Sequence, residues 1–128
     1  MPTGLMVPVQ IEASTSPVVA DVADPDFFLD ALSAEALTKH LFPSHRFAIL
    51  ADRGAEDAGM AVNSLATDLL WQSSPSAFAA RMVHGNALIF GYVNATYVDL
   101  PESIAAFIAK RAQARADRVP PPPRLRVV

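Results

Sequence analysis

Asn63-Ser-Leu-Ala-Thr-Asp-Leu-Leu70, and after it His84-Gly-Asn-Ala-Leu-Ile-Phe-Gly91, set the architecture of this 128-residue chain. In the first, Asn63 can cap a helix whose Leu65, Ala66, Leu69 and Leu70 form one apolar face. In the second, His84-Gly85-Asn86 is a turn signal leading into an apolar run of strand length, Ala87–Val93. A helix and a buried strand side by side imply a small α+β domain centred here. Neither stretch names a reaction.

Working outward, Arg46–Asp52 is a second short apolar run bounded by punctuation, which predicts another buried strand. Asn94-Ala95 can serve as a two-residue hairpin connection, with Thr96–Asp99 returning. Leu5–Glu12 alternates well enough for a first strand. Pro8 cannot donate to a ladder, so that strand is expected at an edge or to begin at Val9. A short extended piece is possible at Val18–Val22. Asp24-Pro25-Asp26 is a helix start, with Phe28, Leu29, Leu32, Ala36, Leu37 and Leu41 at helical spacing behind it. Pro43 ends that segment. Ser33 leaves one bent helix or two pieces open. A short helical piece is expected over Ala77–Val83, and Pro101-Glu102 begins a last helix that runs to about Arg118. Pro120–Pro123 cannot continue it and predicts polyproline II. The expectation is a sheet of three or four strands (near 5–12, 46–52, 87–93 and 96–99). Helices near 25–41, 63–73 and 101–118 pack on it. Residues 1–108 make one compact domain, and 109–128 a protruding basic helix end with a Pro-rich tail.

Length allows one domain with a real core, and 52% apolar with 18% charged residues is a globular composition. No apolar run approaches the ~20 residues that span a bilayer. Met1–Pro8 has no positive charge ahead of its apolar residues, so no secretory signal is expected. Cysteine is absent, which removes disulfides, thiolate metal sites and cysteine nucleophiles, and fits a reducing, cytoplasmic setting. The net charge of −3 hides an asymmetry. Positions 1–109 hold four basic and twelve acidic residues, a net of −8, whereas positions 110–128 hold six basic residues and Asp117, a net of +5.

The residues that could carry chemistry do not form a recognised motif. His40 and His45 are separated by Pro43 and cannot share a helical face as a zinc-binding pair would. Ser44, Ser73, Ser74 and Ser76 lack a nucleophile elbow, and serines near proline are ordinary loop and cap residues. Gly54 and Gly59 bracket acids, which repel phosphate. Asp52, Glu56 and Asp57 cluster after a strand end, where sites often lie, but a solvated loop has the same composition. An enzyme with a site near Asp52–Asp57 and His84 requires those side chains to converge in one pocket. No catalytic residue, metal, cofactor or small-molecule ligand is expected from the sequence.

The last helix is the more informative segment. Ile104, Ile108, Arg111, Arg115 and Arg118 recur along one face, apolar in its first half and charged in its second. Such a helix either leaves the body or turns its arginines toward an acidic surface. Ala105, Ala109, Ala112 and Ala116 form a neighbouring small-residue stripe that allows close approach of another helix. Equally, alanine is a good helix former and arginine complements a helix C-terminus. Arg124 and Arg126 extend the basic run past the prolines. The tail has no aromatic residue for base stacking and the acidic body repels a polyanion, so nucleic acid is the second reading.

Three pieces resemble a family of uncharacterised small domains in bacteriophages, plasmids and actinobacteria. They are Arg46–Asp52 with its Gly54 turn, Asn63-x-x-Ala66-Thr67-x-Leu69-Leu70, and Gly85-Asn-Ala-Leu-Ile-x-Gly91. The resemblance covers roughly positions 46–100 and transfers no catalytic residue. It implies an accessory gene of a mobile element that acts by binding. The sequence thus leads to a non-enzymatic interaction module. It would engage a partner, or another copy, through Ala105, Ala109, Arg111, Ala112, Arg115, Ala116, Arg118, Arg124 and Arg126.

Overall fold

A computed structural model describes residues 1–9, 15–74 and 81–118, with the helix backbone alone described at 115–118. Six strands form one antiparallel sheet: β1 (Thr3–Val7), β2 (Ser16–Val19), β3 (Leu37–Phe42), β4 (Phe47–Asp52), β5 (Ala87–Val93) and β6 (Thr96–Val98). The order is β2-β1-β5-β4-β3, with β6 also paired to β5. Gly91 faces Phe47 on one side and Val98 on the other, so β6 lies on the same side of β5 as β1. Helix α1 (Phe27–Leu32) covers one face; α2 (Ser64–Ser73) and α3 (Glu102–Arg118) cover the other.

The three-layer arrangement follows from the central strands being apolar on both faces, over Phe47–Ala51 in β4 and throughout β5. In β4, Phe47, Ile49 and Ala51 join the core under α2 and α3, and Leu50 joins the core under α1. In β5, Ala87 and Ile89 face α2 and α3, while Leu88 and Phe90 face α1. Period-two alternation therefore divides one run between two cores. Phe28 anchors the smaller core, its ring 5.3 Å from Phe90 and 4.8 Å from Tyr97. Ala66, Leu69, Leu70, Val83 and Ile108 complete the larger one.

Asn63 ties these layers together. Its Oδ1 accepts from the Ala66 N–H at 3.1 Å and caps α2, as the sequence predicts. Its Nδ2 donates to the carbonyls of Val7 and Gly85, both at 2.9 Å. One buried side chain thus joins the end of β1, the start of α2 and the entry to β5. Nearby, Thr67 Oγ1 accepts from the Val83 N–H at 2.9 Å. Gly91 serves a close approach: a Cβ there would collide with the Asp99 carbonyl, where β6 runs on toward α3. Asn94 (φ 51°) and Ala95 (φ 61°) form the expected β5–β6 hairpin turn.

Five expectations are corrected. The sheet has six strands, not three or four. Residues 37–42 form strand β3, not the second half of a helix over 25–41. Helix α1 stops at Leu32 because Ser33 turns left-handed (φ 51°), and its N–H and that of Ala34 bond back to Asp30 and Leu29. Ala36, Leu37 and Leu41 fit helical spacing, but the alternation of Thr38, His40 and Phe42 against the β4 core prevails. The capping signal at Asp24 is likewise displaced. Its Oδ1 accepts from Asp26 N–H at 2.9 Å within a preceding turn, and α1 begins only at Phe27. The first strand ends before Pro8, at Val7, and lies inside the sheet; β2, within the predicted connection, forms the edge. Of the piece expected over Ala77–Val83, residues 81–83 have no regular structure and 77–80 lie outside the described residues, as does the polyproline segment.

The ladder pattern also shows how the sheet ends. The Ala20 N–H bonds to the Pro2 carbonyl, so by alternation the backbone groups of Pro17 and Val19 point outward from β2. Pro17 has no N–H to present there. On the opposite edge the groups of Leu37, Lys39 and Leu41 point outward, and the Leu37 carbonyl accepts from Arg53 Nη2 at 3.3 Å.

Candidate functional site

Two features outside the cores remain. The first is α3, 17 residues and so about 25 Å long. Its first half packs: Ile108 is buried and Ile104 and Phe107 rest against the larger core. After Ile108 the helix carries Ala109, Lys110, Arg111 and Gln113 exposed, with Ala112 and Ala114 half-buried. The Arg111 guanidinium lies over the Phe107 ring, 5.3 Å from its centroid. Of the expected partner-binding residues, Ala105 and Ala112 are half-buried and Ala109 and Arg111 exposed. The small-residue stripe is therefore partly covered by the chain itself. Arg115, Ala116 and Arg118 belong to α3, though their side chains lie outside the described residues, as do Arg124 and Arg126.

The second feature is a cleft of about 350 Å³ at the outer part of the sheet. Thr38, Lys39 and His40 of β3, Ala51 and Asp52 of β4, Arg53 and Glu56 of the following turn, and Arg81–His84 line it. Thr38 and His40 point to the α2/α3 side of the sheet because they pair with Ala51 and Ile49. The segment entering β5 borders the cleft because Trp71 Nε1 donates to the Arg81 carbonyl at 2.6 Å and Thr67 binds Val83.

Several polar groups here have fixed roles. Asp52 Oδ1 accepts from the Gly54 N–H at 2.9 Å, which shapes the turn. His84 Nδ1 stands 3.0 Å from the Met60 carbonyl; a carbonyl only accepts, so Nδ1 carries the proton and Nε2 is the free acceptor of the neutral ring. His40 is half-buried, and that burial, reinforced by the field of Arg81, holds its imidazole below the ordinary value near 6.5. It is neutral at pH 7.

Asp52, Glu56 and His84, which a site in the body required to converge, do line one cleft, whereas Asp57 is exposed and not among its lining residues. Sequence reasoning weighed His40 only as a metal ligand and set it aside, and it missed Thr38 and Arg81. The alternation of Thr38, His40 and Phe42 was the available signal for the first two; nothing local marks Arg81. Among the described residues no three His, Asp or Glu side chains group closely enough to hold a metal ion, and no helix is long and apolar enough to cross a membrane. No protein-family model matches the chain, and neither the curated proteins nor the solved structures contain a significant match to it.

Proposed function

We propose that the protein is a non-enzymatic interaction module whose α3, beyond Ile108, docks an acidic partner protein. The observation that carries this is the change of character along one helix: anchored by Ile104, Phe107 and Ile108, then with Ala109, Lys110, Arg111 and Gln113 exposed in a stretch whose sequence is basic. A helix held at one end presents its other end without the ordering cost of a free segment. The contrast of charge, −8 before Lys110 and +5 from there on, gives the presented end its sign. An accessory role in a phage or plasmid belongs to the same proposal.

The test is affinity capture from a lysate with the full chain and with a chain ending at Ala109, each with and without nuclease. A protein held only by the full chain, regardless of nuclease and released by salt, supports the reading. Capture that vanishes with nuclease transfers α3 to nucleic acid. Capture by both chains alike overturns the role of α3.

A further inference from the structure

The cleft between β3, the turn after β4 and the entry to β5 contains two opposite charges that do not meet. Arg81 and Glu56 both line it, both are exposed, and among the described residues neither has an ion pair or side-chain hydrogen bond. We propose that the cleft binds a small dipolar molecule carrying a carboxylate at one end and an ammonium group at the other. Arg81 takes the anionic end and Glu56 the cationic end.

The cleft is polar from end to end. Asp52 pairs with Leu37 across the ladder and Ile49 with His40, three residues further along. That step is about 10 Å of strand. The His40 end lies in the field of Arg81. The opposite end carries Asp52 and, in the turn beyond it, Glu56. Of the two other cations at the cleft, Arg53 is drawn to the Leu37 carbonyl, and Lys39 pairs with Leu50 and so projects to the α1 side of the sheet, away from His40. His40, being neutral, does not repel an ammonium group, and the free Nε2 of His84 can accept from one. A purely anionic ligand would meet the carboxylates, and a purely cationic one would meet Arg81. A molecule with both charges, separated by a chain of several carbons, satisfies both ends. A volume of about 350 Å³ is at the small end of ligand clefts, consistent with that size.

The probes are 6-aminohexanoate, hexanoate and hexylamine, titrated into the full-length ¹⁵N-labelled protein and followed by amide chemical shifts. We expect 6-aminohexanoate to give saturable shifts at residues 38–40, 53–56 and 81–84, and each single-charge probe to bind at least ~10-fold more weakly. Arg81→Gln should reduce the dipolar probe to the affinity of hexylamine, and Glu56→Gln to that of hexanoate. Both side chains are exposed, and retained amide dispersion verifies the fold of each variant. Hexanoate or hexylamine binding as tightly as 6-aminohexanoate, indifference to both substitutions, or no saturable shift at these residues would each overturn the proposal. None of these residues lies on α3, so the outcome is independent of the partner-docking reading.

Discussion

Asn63 satisfies three backbone groups from three separate parts of the chain, all with one buried amide. Asn63→Ala removes the helix cap and the side-chain bonds to the Val7 and Gly85 carbonyls, of which that of Val7 keeps its ladder partner in β5. The expected loss is about 2–4 kcal/mol in urea unfolding. Asn63→Asp keeps the cap acceptor but sets a carboxylate against two carbonyls, so it should cost at least as much. A milder effect of the aspartate would show that capping, not the carbonyl bonds, dominates. His40 gives a prediction in pH. Its folded-state pKa is lowered, so the unfolded chain takes up the proton more readily, and protonation favours unfolding. Stability attributable to it should be constant above about pH 7 and fall as the pH drops below the ordinary value near 6.5, levelling off below the lowered value. Denaturation midpoints measured across that window should show a flatter profile in His40→Gln.

Among the elements, the β5–β6 hairpin has a turn that works against its sequence. Both of its central residues are left-handed, a conformation that suits asparagine but disfavours alanine by about 1–2 kcal/mol. Ala95→Gly should therefore stabilise the protein by about 1 kcal/mol, with an unchanged slope in urea. The elements also differ in how far they could be read in advance. The cap of α2, the Pro101 start of α3 and the Asn94-Ala95 turn each depend on neighbours in sequence and were legible. Residues 36–42 were not, because Leu37 and Leu41 satisfy a helical stripe while Thr38, His40 and Phe42 satisfy a strand. What decides between them is the availability of β4 as a partner, which no local spacing reveals. The cleft was legible at Asp52, Glu56 and His84, and at His40 only as a histidine weighed as a metal ligand and set aside. Its other wall comes from β3, itself misread, and from Arg81, brought there by Trp71 and Thr67 across chain distances that carry no pattern.

Taken whole, the described residues form two cores, and β4 and β5 contribute to both. Leu69→Ala, on the inner face of α2, and Leu88→Ala, under α1, should each cost about 2–5 kcal/mol. Each should lower the same cooperative transition, seen alike by backbone and aromatic circular dichroism. Separate transitions would mean that the α1 layer melts by itself. The two-sided sheet has a second consequence, for pairing register. Where both faces of a strand are apolar, a slip by one residue exchanges one greasy side for another, so hydrophobicity alone fixes the register weakly. Shape must do it instead. A Cβ at Gly4 would strike the Phe90 ring and the Ile89 carbonyl, and one at Gly91 the Asp99 carbonyl, so each glycine admits one neighbour only.

The way the sheet ends bears on how the protein behaves in a crowded solution. An open strand is a template on which the next molecule can continue the ladder, and a sheet open at both sides could polymerise in either direction. Here Pro17 withholds a donor at one border, while at the other Lys39 adds charge and Arg53 occupies a carbonyl. Growth by strand addition is discouraged at both borders, and opening either one, by Pro17→Val or Arg53→Ala, is expected to raise the rate of fibre formation at high concentration.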